Sequence, residues 1–204
     1  MTQLHAVIPL KAQQLKQASE LMGRAFLNDP LWQYLVPDEA RRARVVPLSM
    51  GILVRYSFLY GEVYTTSALE GVACWLPPGK TTPTFGRLVR IGIRSAPLEL
   101  GWTGFRRYIT TEDYTEKVHK CSVPEQHWYL WGLGVEPALQ GHGIGGMLIQ
   151  HVLARADAEG LPCYLETMNG RNVPFYQKHG FKAVSEGEVP KSELRVWGML
   201  REPG

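Results

Sequence analysis

Gln140-Gly141-His142-Gly143-Ile144-Gly145-Gly146 lies where an apolar strand gives way to an amphipathic helix. Upstream, Trp128 to Val135 is aromatic, β-branched and apolar, and Glu136-Pro137 stops it. Downstream, Gly145, Leu148, Ile149, Val152, Leu153 and Ala156 recur at alternating spacings of three and one, the period of a helix with one buried face. Gln150, His151 and Arg155 fall on the other side. A glycine-rich turn feeding a helix leaves several backbone N–H groups without intrahelical partners, aligned at the positive end of the macrodipole. Such a turn is an anion cradle, with a phosphate or pyrophosphate as its usual occupant.

Three phosphate-binding readings compete for this turn. A P-loop is excluded because the closing Lys-Ser/Thr is missing. A dinucleotide fingerprint is spelled by Gly141, Gly143 and Gly146, with Glu166 twenty residues further on. Its context is wrong: Glu136 to Gln140 separates strand from glycines, and only 58 residues follow Gly146, too few for the further βα units of that fold. The third reading is the Q/R-x-x-G-x-G/A turn of the Gcn5-related N-acetyltransferases, which Gln140 to Gly145 fits at every fixed position.

The chain resembles that family well beyond the turn, and within it the puromycin N-acetyltransferase-like members. The likeness runs through the aromatic strand into Gly134-Val135, the Leu165-Glu166-Thr167 strand end, Arg171-Asn172, and Pro174-Phe175-Tyr176 leading to Gly180-Phe181. It is looser in the N-terminal half, at Ala25-Phe26, Asp29-Pro30 and Pro37-Asp38. The resemblance implies acetyl-coenzyme A as co-substrate and a mixed, mostly antiparallel α/β sheet with helices on both faces, splayed at its two central strands. It implies that Leu133 and Val135 pair with the pantetheine arm through backbone groups. Gln140, Gly141, His142, Gly143, Ile144, Gly145 and Gly146 would receive the pyrophosphate, and Asn172 would lie beside the coenzyme. Tyr176 would be the proton donor to the leaving thiolate. None of this names the acceptor.

Other roles are read from the residues themselves. Glu166 is the candidate base, since burial at a strand end raises a carboxyl's pKa toward working pH; its alternative role is to fix Arg171 or the turn. Asn172 and Pro174 also suit a helix start, as cap and first-turn residue. Asp29, Trp32, Tyr34, Tyr129 and Trp131 are candidates for lining an acceptor pocket, with Trp102 expected to contact the acceptor as well. Gly132 and Gly134 allow a close approach of something to the strand backbone. His127 and His142 lie near the site in sequence and read as satisfied surface residues.

Elsewhere the pattern alternates strands and helices in a single expected domain over residues 1–204. Val7 to Leu10, Glu62 to Thr66, Gly71 to Trp75, Cys163 to Thr167, Phe181 to Val184 and Leu194 to Leu200 read as strands. Gln13 to Ala25, Leu31 to Leu35, a helix capped by Asp38, and Val173 to His179 read as helices, with Gly160 closing the helix that ends at Glu159. Periodicity weakens over residues 80–126, read as a variable insertion on the acceptor side, where the resemblance implies variable helices. There six basic residues between Lys80 and Arg107 face one acid, Glu99. They are either a solvated face or a partner for an anionic group.

Composition sets outer bounds. With 45% hydrophobic and 20% charged residues the chain is of ordinary globular type, and a net charge of +3 gives no argument for nucleic acid. Cys74, Cys121 and Cys163 suggest neither a disulfide framework nor a metal site. No run of about eighteen apolar residues and no signal-like start are found, so a cytoplasmic protein without membrane association is expected, as monomer or homodimer. Together these readings lead to an N-acetyltransferase acting on a primary amine of a small molecule, an antibiotic or other xenobiotic included. The alternatives are a protein or peptide amine as acceptor, or a coenzyme A-binding sensor without turnover.

Overall fold

The computed structural model describes residues 6–91, 96–123 and 126–204. Met1 to His5, and Gly92 and Arg94 of the basic segment, lie outside them. Seven strands form one sheet in the order β1-β2-β3-β4-β5-β7-β6. They are β1 (Val7–Pro9), β2 (Glu62–Thr66), β3 (Gly71–Leu76), β4 (Trp128–Val135), β5 (Cys163–Thr167), β6 (Lys182–Glu188) and β7 (Arg195–Arg201). Only β4 and β5 run parallel, and they pair only at Trp128↔Cys163 and Tyr129↔Tyr164 before separating. All other neighbours are antiparallel, so the mixed, splayed sheet expected from the sequence is present.

Helices cover both faces. The expected helix after the glycine turn is α6 (Ile144–Glu159), which buries Leu148, Ile149, Val152, Leu153 and Ala156 on its apolar stripe and ends at Gly160 in the left-handed region, φ 66°. With α7 (Val173–Lys178) it packs on a core containing Trp75, Trp128, Leu130 and Phe181. The opposite face carries α1 (Leu15–Phe26), α2 (Pro30–Leu35) and α3 (Glu39–Tyr60), whose Leu21, Met22, Val45 and Val54 meet Val72 and Cys74 of β3. Asp38 caps α3, accepting from Arg41 N–H at 2.7 Å. Truncating a fully buried leucine such as Leu21 or Leu148 costs about 2–5 kcal/mol, and β3 is buried along its whole length.

Two segments gain detail beyond their sequence reading. The described residues of 80–126 include the helices that the resemblance implies, α4 (Phe85–Ile91) and α5 (Ala96–Ser122), the latter kinked at Gly101, φ 65°. The strand expected over 181–184 is β6, running to Glu188; its outer residues are mostly polar and exposed, so no apolar alternation marked it. Among the described residues no helix is long and apolar enough to cross a membrane.

Candidate active site

The glycine turn is shaped as an anion cradle. Gly141 and Gly143 take φ 81° and 85°, which L side chains rarely adopt, and a Cβ at either would point into open space. Met147 N–H is bonded to Gly143 O at 3.1 Å. The helix begins at Ile144, so the N–H groups of Ile144, Gly145 and Gly146 lack intrahelical acceptors. His142 is exposed, with Nδ1 3.0 Å from Gln140 O. The later glycines serve packing as well. A Cβ on Gly146 would sit 2.7 Å from the His179 ring, and one on Gly145 3.3 Å from Phe175, so both let α7 close on α6.

A bulge in β4 prepares the gap between the central strands. The register with β3 shifts between Cys74↔Gly132 and Trp75↔Leu130, leaving Trp131 as an extra residue. Below it Trp128 N–H bonds to Pro162 O at 2.9 Å, on the β5 side; above it Glu136 N–H bonds to Glu70 O at 2.8 Å, on the β3 side. Because antiparallel partners alternate in direction, the backbone groups of Leu133 and Val135 then face the gap. The Gln140 amide donates to Val135 O at 3.2 Å, so at Val135 the N–H is the group left for a ligand. Gly132 and Gly134 face the other way. A Cβ on Gly134 would lie 2.6 Å from Met22 Sδ, so what approaches closely there is α1.

The gap opens into a cavity of about 220 Å3 that brings together Asp29, Trp32, Tyr129, Trp131, Leu133, Glu166, Asn172 and Tyr176. Burial pushes the Glu166 carboxyl up to about 8. Tyr129 donates to Glu166 Oε2 at 2.7 Å, and the buried Oε1 has His119 Nδ1 at 3.3 Å. A buried carboxyl whose pKa lies near working pH meets one condition for a general base. Arg171 is not its partner. Tyr176 is buried, and burial holds its hydroxyl well above the usual tyrosine range, so it is protonated at any working pH. Asp29 caps α2 through Leu31 N–H at 3.0 Å, and burial raises its carboxyl to about 6.

Some expected residues have other duties. Tyr34 is not in the cavity: Arg107 stacks 4.8 Å above its ring and donates to its carbonyl at 2.7 Å. Arg87 likewise lies over Tyr60 at 4.7 Å, so part of the basic segment is spent on aromatic faces. Trp102 points to solvent, 75% exposed. Asn172 makes no side-chain cap; Asn169 caps this turn instead, through Arg171 N–H at 3.2 Å, and Asn172 borders the cavity. His127 is buried rather than on the surface, with Nε2 2.8 Å from His119 Nε2.

Sequence reasoning did not single out the residues that α5 brings to the site. Glu112 and His119 reach the site from it, and a second cavity of about 580 Å3, lined by His119, His127, Tyr129 and Glu166 among others, adjoins the first. The spacing Glu112, Thr115, His119 is three and four, one face of a helix, and this was the available signal.

Residues 101–181 match the Acetyltransferase (GNAT) family model. An uncharacterized N-acetyltransferase of Schizosaccharomyces pombe is 27% identical over 202 residues, covering 95% of this chain and 82% of that protein. A Corynebacterium glutamicum structure described as histone acetyltransferase HPA2 and related acetyltransferase aligns with a TM-score of 0.67 at 21% identity, over 98% of this chain and 97% of the other. The polyamine N-acetyltransferase of Drosophila melanogaster, described as forming N-acetylagmatine, aligns with a TM-score of 0.60 at 13% identity, over 97% and 99%.

Proposed function

We propose that this chain is a GNAT N-acetyltransferase that moves the acetyl group of acetyl-coenzyme A to a primary amine of a small molecule. The observation that carries the reading is Glu166: a buried carboxyl between Tyr129 and His119, at the meeting of two cavities, beside the strand whose backbone faces the gap. The polyamine enzyme among the structural neighbours supports a small amine. The histone description of another favours a protein amine as the second reading, and the small cavity volume of about 220 Å3 favours the small molecule.

The cradle suits a pyrophosphate, since its left-handed glycines, free N–H groups and open approach are all built into the backbone. Acetyl-coenzyme A, when bound, supplies a thioester carbon as electrophile. Ile144, Gly145 and Gly146 hold the diphosphate, and the N–H groups of Leu133 and Val135 stabilise negative charge on the acyl oxygen. Glu166 takes the proton that the amine nitrogen loses as its bond to carbon forms. Tyr176 gives a proton to sulfur as the carbon–sulfur bond breaks.

The test is an amine panel containing puromycin, agmatine and a lysine peptide, incubated with acetyl-coenzyme A while free thiol is followed. Small amines should release thiol. Turnover of the peptide alone would establish the second reading, and coenzyme binding without any turnover would leave a sensor. Tyr176→Phe should lower kcat about a hundredfold with coenzyme affinity kept; an unchanged single-turnover rate would make Tyr176 structural.

A further inference from the structure

Acetylation of a basic amine leaves a proton to be exported. Such an amine is an ammonium ion near neutral pH, so two protons leave its nitrogen before the amide is complete: one uncovers the lone pair, and one goes as the bond to carbon forms. One of the two is replaced on sulfur, and the other has to reach water. Glu166 holds one proton at a time and its side chain is buried, so it must be emptied within each turnover.

His119 and His127 take no part in the bond changes and stand in line behind Glu166. His119 Nδ1 lies 3.3 Å from Glu166 Oε1, and catalytic hydrogen bonds are often this long before substrate binds. Glu166 Oε2 already accepts from the Tyr129 hydroxyl at 2.7 Å, which leaves Oε1 facing the histidine. The other His119 nitrogen, Nε2, lies 2.8 Å from His127 Nε2. The His119 ring packs against Tyr129 and Tyr164, each with its centroid 4.6 Å away, so its two nitrogens are held toward different partners. His127 is buried in the sheet and lines the second cavity. That cavity, of about 580 Å3, has room for water, and its wall carries the exposed Glu116 and Lys120. Among the described residues, His119 faces Glu166, Tyr129, Tyr164 and His127 from the sheet, with Glu116 and Lys120 on its own helix. Burial lowers its imidazole to about 4, and a neutral imidazole accepts a proton on one nitrogen while giving one from the other.

We propose that His119 and His127 form a relay carrying the proton that Glu166 takes from the amine to water in the second cavity. The inference rests on the acetyl-transfer reading for the source of the proton, while the line of groups stands on its own geometry. The line has two matched settings. With Glu166 ionised, His119 Nδ1–H donates to Oε1 and His127 Nε2–H donates to His119 Nε2. With Glu166 protonated, Oε1–H donates to His119 Nδ1 and His119 Nε2–H donates to His127 Nε2. Passage from the second setting to the first moves one proton from Oε1 to His119 Nδ1, one from His119 Nε2 to His127 Nε2, and one from His127 Nδ1 to water. One proton enters at Glu166 and one leaves at His127, neither imidazole has to persist as a cation, and exchange with cavity water resets the rings.

The first arm of the test needs no turnover. NMR of isotope-labelled histidine rings reads which nitrogen carries the proton. As pH rises through about 8, where Glu166 ionises, the His119 proton should move from Nε2 to Nδ1 and the His127 proton from Nδ1 to Nε2. In Glu166→Gln neither should move. The second arm compares ethylamine with 2,2,2-trifluoroethylamine at about pH 7.5, where the first is an ammonium and the fluorines keep the second neutral. The neutral amine gives up a single proton, which the one placed on sulfur balances. His119→Phe keeps a ring and removes both nitrogens, so it should lower kcat with ethylamine by about tenfold or more and change kcat with trifluoroethylamine little. The thermal midpoint records whether that variant is folded, and the first arm does not depend on it. Histidine rings indifferent to Glu166, or equal losses with both amines in a folded variant, overturn the relay and leave acetyl transfer standing. Rings that switch with Glu166 in a protein that acetylates no amine uphold the line of groups and remove the transfer reading instead.

Discussion

The strand, turn and helix from Trp128 to Glu159 and the helices between Phe85 and Ser122 build one site by opposite means. The first region offers backbone: free N–H groups at the start of α6 and along the upper half of β4. The second offers side chains, Glu112 and His119, projected from a helix toward a cavity. A site made of backbone needs particular φ angles and therefore particular residues, which leaves glycines at fixed spacing. A site made of side chains needs only one face of a helix and allows many sequences. The backbone-built side is thus constrained and the side-chain-built side is free to vary.

Substitutions on the two sides should separate accordingly. The largest effect belongs to Glu166, where both regions meet. Glu166→Gln should lower kcat/KM by about a hundredfold to ten-thousandfold. Wild-type activity should climb as pH rises through about 8, where this carboxyl ionises, and the variant should lack that limb. The same group links stability to pH. Its carboxyl moves from 4.5 in the ordinary state to about 8 when buried, so its contribution is complete below 4.5 and is lost as pH rises through 8. Between pH 5 and pH 9 the wild type should therefore lose more thermal stability than Glu166→Gln; equal losses would show that the carboxyl is not held protonated.

Next comes the backbone side. Gly143→Asp places an anion at the cradle and a side chain on a left-handed residue, and should weaken acetyl-coenzyme A about tenfold to a hundredfold by calorimetry. Gln150→Ala, on the outer face of α6, should leave that affinity alone. If the two variants bind equally well, the pyrophosphate is held elsewhere and the contrast between backbone and side-chain regions fails. The smallest effect separates two tryptophans. Trp32→Phe, in the cavity, should raise the acceptor KM several-fold with the coenzyme KM kept. Trp102→Ala, at a solvent-facing position, should change neither; a shift in acceptor KM there would extend the site onto the outside of α5.

The backbone-built side was legible in the sequence because its determinants are local. Gly141, Gly143 and Gly160 do adopt positive φ, and the parallel pair that splays follows from one apolar strand on each side of α6. Leu133 and Val135 were named from resemblance, and the register supplies the physical reason. On the acceptor side Tyr129 and Trp131 reach the cavity, whereas Tyr34 and Trp102 do not. Aromatic type marks a residue that wants partners, and only tertiary packing decides whether the partner is Arg107, solvent or a substrate. The burial of His127 has a similar cause: it depends on how the end of α5, with His119 eight residues away, packs against it. Glu112 carried no mark beyond its place on a helix face.

The bulge at Trp131 behaves as a dislocation does in a crystal lattice. One extra residue is inserted into β4 and not into β3, and the mismatch cannot be healed by adjusting neighbours, because side-chain and backbone directions repeat every two residues. Only sliding the whole strand past its partner would remove it, and that would turn the apolar side chains of Leu133 and Val135 out of their core. The exposed row of backbone groups is therefore pinned by lattice geometry rather than by the loops around it. Loops can be exchanged as the acceptor changes, and the defect stays where it is.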